Sequence, residues 1–423
     1  MFRSLLDRFQ WKGTDHVYSL PWIRNRLEYS ADPQRVKEFL QGAKVTRSQL
    51  TRDMLSRFHL SHHSIVVSDD EHAHQLRSVF LACLPSPESY SGIAKDLVKQ
   101  VFKPGGSGEL HLSRQLIPAV YLSLLSNLLG ANVLRALEEH IRTIDFQPGS
   151  RPMHLDGVMY AIGMQFPGLG LMRNVIDWAF FKKDHYTRKI AIKLEQMVFE
   201  FATPKPASWY AHLIDMKQSG KISKAQFRGE LTSMLVSSYA LSAAMSSMLL
   251  CLAARPEYVT RIRSDQELAK HFVNEVLRLF PPFRQFGYEE KGIWEKSDRS
   301  KDTVTDFMVS VFGLHRNEQV WPDADVFRPE RFEVADAVKG CKFMPFGLGK
   351  RSCTGRVYSL RVMVEMLNYV CSEECGLQLS LPADFVKDYV GLPLGTNGRL
   401  VSFPVDDRIV VRRGVSEGGS PHA

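Results

Sequence analysis

The 423-residue chain is poor in cysteine: Cys83, Cys251, Cys341, Cys353, Cys371 and Cys375 are scattered, and no two form a Cys-x-x-Cys pair. That spacing argues against a disulfide framework and for a reducing, cytoplasmic setting. A block of lysine and arginine is also missing. The formal charge of +8 is spread along the chain, so a nucleic-acid partner is not expected. His59, His62, His63, His72 and His74 cluster but lack the paired spacing of a structural zinc site, and they read as a solvent-facing loop and helix start. Arg3, Asp7 and Arg8 interrupt any apolar run near Met1, so neither a signal peptide nor a membrane anchor is expected. Internal repeats are lacking.

One segment lacks charge altogether. Leu231 to Ala254 is long enough to span a bilayer. It holds six serines and is bracketed by Arg228, Glu230 and Arg255. A central helix buried in a large α-rich core explains it better.

Hydrophobic residues make up 44% and charged residues 24%, which is ample for a large core. Apolar residues recur at three- and four-residue steps over Arg35–Leu40, Leu76–Leu84, Leu112–Leu129, Val133–Ile144, Thr187–Phe201 and Gln266–Leu279, predicting helices. Strand-like stretches are short and lie toward the C-terminal half, at Thr305–Val311 and Leu400–Val405. Gly391–Gly398 carries the residues of a hairpin tip, Glu289–Lys301 reads as a polar excursion loop, and 414–423 as a disordered tail. The expected architecture is mainly α with small peripheral β-sheets, a single domain over 1–413.

Near the C-terminus runs Phe346-Gly347-Leu348-Gly349-Lys350-Arg351-Ser352-Cys353-Thr354-Gly355, which sets one cysteine in a basic turn. Thiolates are favoured by nearby cations and by helix N-termini. Lys350 and Arg351 precede Cys353, and Thr354–Leu360 reads as a helix start whose N–H groups and dipole would face the sulfur. Gly349 permits positive φ, and Gly355 permits close approach of the backbone to a flat ring. The pattern F-x-x-G-x-R-x-C-x-G, five fixed residues in ten positions, resembles the heme-binding loop of the cytochrome P450 family. The resemblance spans about residues 60 to 405 and implies a P450-like fold enclosing heme b. It makes Cys353 the iron ligand, packs Phe346 beside it and pairs Arg351 with a propionate.

Further segments carry the same resemblance. Glu275-x-x-Arg278 shares a helix face ahead of Pro281-Pro282, and Phe327-Arg328-Pro329-Glu330-Arg331-Phe332 resembles the segment whose arginine, here Arg331, completes a Glu-Arg-Arg network. Leu314-His315-Arg316-Asn317 and Trp321-Pro322-Asp323 also match. Arg77, after Asp69-Asp70-Glu71, is the candidate for a second propionate contact, with Arg284 a further one because the usual position falls near Tyr288.

The pattern breaks in the uncharged segment. The family's acid–alcohol pair, which delivers protons in general-acid fashion, aligns with Tyr239 and Ala240, and its groove glycine with Ser237. Tyr239, Ser238 and Ser242 remain as catalytic candidates. The resemblance implies a monooxygenase that takes electrons from a ferredoxin- or flavodoxin-type donor, splits O2 and oxidises a small organic substrate. Lys339, Lys342, Lys350, Arg356 and Arg361 flank Cys353 as a docking patch for an acidic donor. The missing pair leaves open a peroxygenase, an oxidative coupler, a dehydratase or isomerase, or a non-enzymatic heme-binding module.

Overall fold

A computed structural model describes residues 16–19, 25–41, 45–47, 64–66, 71–103, 107–144, 184–290, 304–334, 336–349, 352–385, 401–404 and 406–413. In chain order the larger helices are α1 (Pro33–Gln41), α2 (Glu71–Ala82), α3 (Ser89–Val101), α4 (Leu112–Ser123), α5 (Arg135–Thr143), α6 (Asp184–Phe201), α7 (Trp209–Gln218), α8 (Lys224–Ala254), α9 (Glu257–Ser264), α10 (Glu267–Leu279), α11 (Val311–Leu314) and α12 (Arg356–Cys371).

The uncharged segment is the body of α8. Ser223 starts this helix with a capping box: its hydroxyl accepts from Gln226 N at 3.1 Å while Gln226 Oε1 accepts from Ser223 N at 2.8 Å. By length and composition α8 could cross a membrane, yet most of its apolar stretch is buried inside the fold. Every residue from Leu241 to Ala253 is buried. A helix apolar on all sides needs neighbours on all sides. Helix α4 supplies the most extensive packing, with α10, α6, α7 and α12 around the remainder. Pro118 sits inside α4, and beyond Ser123 that helix widens into a π-turn, Leu124–Leu129. Gly130 stops it at φ +75°, where a Cβ would strike the Ser208 side chain. Only glycine meets both demands.

The strands form three sheets. In the five-stranded sheet the order is β1 (His16–Ser19), β2 (Asn25–Ser30), β8 (Val304–Ser310), β7 (Gln285–Glu290) and β3 (Val45–Arg47). Strands β2 and β8 pair in parallel, with Asn25 opposite Val304, and the other neighbours are antiparallel. A three-stranded sheet joins β4 (Gly108–His111), β10 (Arg408–Arg413) and β9 (Leu377–Ser380), and β5 (Ala131–Val133) pairs with β6 (Ala202–Pro204).

These sheets correct three sequence expectations. Strands are not confined to the C-terminal half: β1 and β2 lie within the first thirty residues and hold the edge of the largest sheet. Residues 401–404 are irregular, and the last strand is β10, where charged Arg408, Arg412 and Arg413 conceal the alternation of buried Ile409 and Val411. Val133 belongs to β5, and Val311 begins α11 after Ser310 caps it by accepting from Gly313 N at 3.0 Å. Of the Glu289–Lys301 loop, Glu289 and Glu290 end β7, and the remainder lies outside the described residues, as do the 391–398 hairpin tip and the 414–423 tail.

Candidate heme site

The cysteine loop is built from its own backbone. Gly347 N donates to Met344 O at 3.1 Å, Ser352 N to Gly349 O at 3.1 Å, and Cys353 N reaches back to Phe346 O at 2.8 Å. Gly349 takes φ +61°, in the left-handed region where a side chain would be strained. The fold leaves Cys353 exposed, and a Cβ at Gly355 would stand 3.8 Å from its sulfur. Helix α12 begins at Arg356, three residues on, with Gly355 as its N-cap, so a cation-like helix end lies beside the thiol. Phe346 is partly buried against the main core. Arg77, from α2, donates to Ser352 O at 3.0 Å and so stands at the loop itself. Lys350 and Arg351 lie outside the described residues.

Behind the loop sits a buried charge network. Glu275 and Arg278 are both fully buried, and their two-point pair measures 2.7 Å from Arg278 Nε and 2.9 Å from Nη2. Arg331 Nε donates to Glu275 Oε1 at 3.1 Å, and Arg328 N donates to the same oxygen at 2.8 Å. Arg278 spends its remaining donors on carbonyls, 2.7 Å to His315 and 2.7 Å to Ala324. Arg331 reaches the carbonyls of Pro322 at 3.0 Å and Val326 at 3.0 Å. Two buried charges are tolerable only when paired and fully hydrogen-bonded, and here they are. His315 completes the network. Its Nδ1 faces Arg278 O at 3.1 Å and its Nε2 accepts from Met344 N at 3.0 Å, so the ring must be neutral with the proton on Nδ1. Burial, and then the Arg278 charge, push its pKa down to about 3. This histidine ties the Glu275 network to the stem of the cysteine loop. The sequence reading noted the residue but not that role.

Over one turn α8 loses its burial: between buried Val236 and Leu241, Ser237, Tyr239 and Ala240 are partly exposed. The Tyr239 ring meets Phe403 edge-on at 6.3 Å. Ser238 is fully buried and donates to Leu235 O at 2.7 Å, so its hydroxyl is engaged within the helix. Ser242 is fully buried, with no hydrogen-bond partner for its hydroxyl. Of the three central-helix candidates only Tyr239 stands at the open turn. Arg284 stacks its guanidinium over Phe312 at 5.0 Å, and Tyr288 is buried within β7. Among the described residues no cluster of three His, Cys, Asp or Glu is placed to hold a metal ion.

Sequence reasoning missed one residue outright. Glu230 stood only among the charges that bracket the uncharged stretch, yet it is fully buried. Its Oε1 accepts from Ile65 N at 2.7 Å, and its Oε2 is buried with no partner.

An exposed cysteine on a glycine-shaped loop, a helix N-terminus beside it, a buried Glu-Arg-Arg network behind it and a core helix that opens for one turn together make the arrangement of a heme-thiolate protein. The Cytochrome P450 family model matches residues 5–366, and the chain belongs to that family, whose cofactor is heme b. Similar proteins include taurochenodeoxycholic 6 alpha-hydroxylase of Sus scrofa, 29% identical over 168 residues, which are 35% of this chain and 33% of that protein. Cytochrome P450 4X1 of Mus musculus is 31% identical over 160 residues (33% and 32%), and cytochrome P450 3A15 of Cavia porcellus 33% identical over 133 residues (29% and 26%). The matched stretch thus covers about a third or less of each relative.

Proposed function

We propose that the protein is a heme-thiolate monooxygenase that oxidises a small organic substrate, with Cys353 as the iron ligand. The single observation that carries this reading is the cysteine loop, closed by the Cys353 N to Phe346 O hydrogen bond of 2.8 Å and leaving the thiol exposed at a helix start. Heme supplies the oxygen chemistry when bound. The protein holds its ligand, shapes the pocket and manages protons. Inserting one oxygen atom of O2 into a C–H bond and reducing the other to water consumes two electrons and two protons. The porcine relative is named a hydroxylase, which supports oxygen insertion.

Partly exposed Tyr239 and Ala240, Phe403 beside them, and the Phe283–Phe286 pair at 6.2 Å support a substrate that is largely apolar. Exposed Arg356 and Arg361, just beyond Cys353, support an acidic electron donor of ferredoxin or flavodoxin type. The scattered cysteines, no two of which form a Cys-x-x-Cys pair, support a cytoplasmic location. A second reading, a heme-thiolate enzyme driven by peroxide or acting outside the oxygen cycle, rests on the lack of carboxylate and threonine at the open turn.

The test is spectroscopic and then kinetic. The heme-loaded ferrous–CO adduct should show a thiolate-type band that Cys353→Ser abolishes, and a histidine-type band in the native protein would overturn the assignment. Turnover with surrogate donors and NADPH, exceeding turnover with peroxide, separates the two readings.

A further inference from the structure

The turn of α8 that opens at Tyr239 and Ala240 carries no acid, but the same helix carries one farther toward its N-terminus. Glu230 is the only carboxylate between Lys224 and Ala254, and its side chain is fully buried. One oxygen is fixed by the Ile65 amide at 2.7 Å. The other has no hydrogen-bond partner, and neither has the hydroxyl of fully buried Ser64, the residue before that amide. A buried carboxylate left half-satisfied is costly, whereas a carboxylic acid is far cheaper. Burial accordingly raises the Glu230 pKa to about 8, with Arg77 on α2 opposing the shift. Arg228, two residues earlier on the helix, is engaged by Glu195 of α6.

The position of Glu230 along the helix matters as much as its burial. Ser233, Ser237 and Ala240 follow it at three, seven and ten residues, spacings that keep one helix face. At a rise of ~1.5 Å per residue, Ser233 stands roughly 4.5 Å and Ser237 roughly 10 Å along the axis. Ser233 donates its hydroxyl to Glu230 O at 2.6 Å and keeps its oxygen lone pairs for accepting. Ser237 is the first residue of that face to be partly exposed at the open turn.

We propose that Glu230 holds a proton in the core and supplies it along the Ser233–Ser237 face to the open turn of α8, in place of the acid absent at Tyr239. The inference rests on the monooxygenase reading, because that reaction is what consumes protons at the turn. The proton leaves Glu230 Oε2. That oxygen has no hydrogen-bond partner of its own, so water takes the proton to Ser233. The Ser233 hydroxyl turns away from Glu230 O to release its own proton onward, and water carries that one across the gap to Ser237. Glu230 is left as a carboxylate beside the Arg77 charge and regains one proton from solvent, so no electron moves and no bond other than O–H changes. Glu230 and Ser233 are positioning residues, since neither borders the open turn.

The experiment uses the full-length, heme-loaded protein and has two arms. Infrared difference spectra on titration should show a carboxylic acid band that disappears with a midpoint of about pH 8, and Glu230→Gln should lack it while retaining the ferrous–CO spectrum. Absence of the band in the native protein overturns the proposal, whether or not the protein turns over. In the second arm, product formed per electron consumed should fall on the order of 10²-fold in Glu230→Gln, the scale of general-acid contributions. Ser233→Ala should keep the infrared band and lose product to a similar degree, which distinguishes passing the proton from holding it. Native product yield in both variants overturns the route. A band that is present in a protein with no oxygen insertion overturns the monooxygenase reading, and with it the delivery of the proton, while Glu230 remains a proton-holding site.

Discussion

Two buried polar regions of this molecule are solved in opposite ways. In the Glu275 network every charge has its partners: Arg278 and Arg331 enclose the carboxylate, a backbone amide adds to it, and carbonyls absorb the remaining donors. In α8 the burial is as deep, but Glu230 Oε2, Ser242 Oγ and Ser246 Oγ have no partner. The first region is rigid because satisfaction is complete, and removing any member strands another. The second keeps open valences along the helix that forms one wall of the proposed pocket. A framework needs the former arrangement, and proton traffic needs the latter.

The comparison breaks most visibly at Arg278. Replacing Arg278 by Ala leaves Glu275 with only its Arg331 and backbone contacts and should cost about 3–5 kcal/mol. Heme-poor, poorly soluble protein is expected, read by heme content per chain and by denaturant unfolding. A well-folded, fully loaded variant would reduce the pair to a surface contact.

Next in size is the opposed pH response of the two regions. His315 has its folded pKa lowered to about 3 from 6.5, so between those values the unfolded chain binds a proton that the folded chain refuses. That contribution is present above pH 6.5 and is lost as pH falls. Glu230 is raised from 4.5 to about 8, so the folded chain keeps a proton that the unfolded chain has released. That contribution is present below pH 4.5 and is lost as pH rises through about 8. Each group contributes a slope of about 1.4 kcal/mol per pH unit within its window. The two cancel between 4.5 and 6.5, which predicts a plateau there with falls on both sides. Urea unfolding across pH checks it, and Glu230→Gln should remove the alkaline fall and turn the plateau into a rise with pH up to about 6.5, leaving the acid fall in place.

Gly130→Ala tests the frame rather than the polar groups. Positive φ and the Ser208 clash together should cost on the order of 1–3 kcal/mol, measured as a lowered Tm. The smallest effect is expected from serines on α8. Ser242→Ala deletes an unpartnered hydroxyl and should change stability by less than about 0.5 kcal/mol, while Ser238→Ala, which loses a 2.7 Å bond to Leu235 O, should cost about 1 kcal/mol. Equal costs would show that Ser242 is as fully satisfied as Ser238.

Local chemistry made much of this legible. The cysteine loop spans ten consecutive residues, so its turn geometry, its glycines and the helix after it are written side by side. Glu275 and Arg278 are three apart on one helix, and the double proline after Phe280 marks where that helix stops. The lack of charge from Leu231 to Ala254 announced a helix buried on all sides, because such a segment has no face to offer water.

Tertiary contact decided the rest. The parallel pairing of β2 with β8 joins Asn25 to Val304, and no local signal in either strand specifies a partner so distant in the chain. Strand β10 escaped notice because three arginines mask a two-residue alternation. His315 reads as an ordinary polar residue until its two ring nitrogens are seen between Arg278 O and Met344 N. Glu230 is the clearest case. In the sequence it is a charge at the edge of an apolar run, and such charges usually face water. Only the tertiary fold, which brings Ile65 N from 165 residues away to its Oε1, removes it from solvent, and that desolvation turns it into a buried acid.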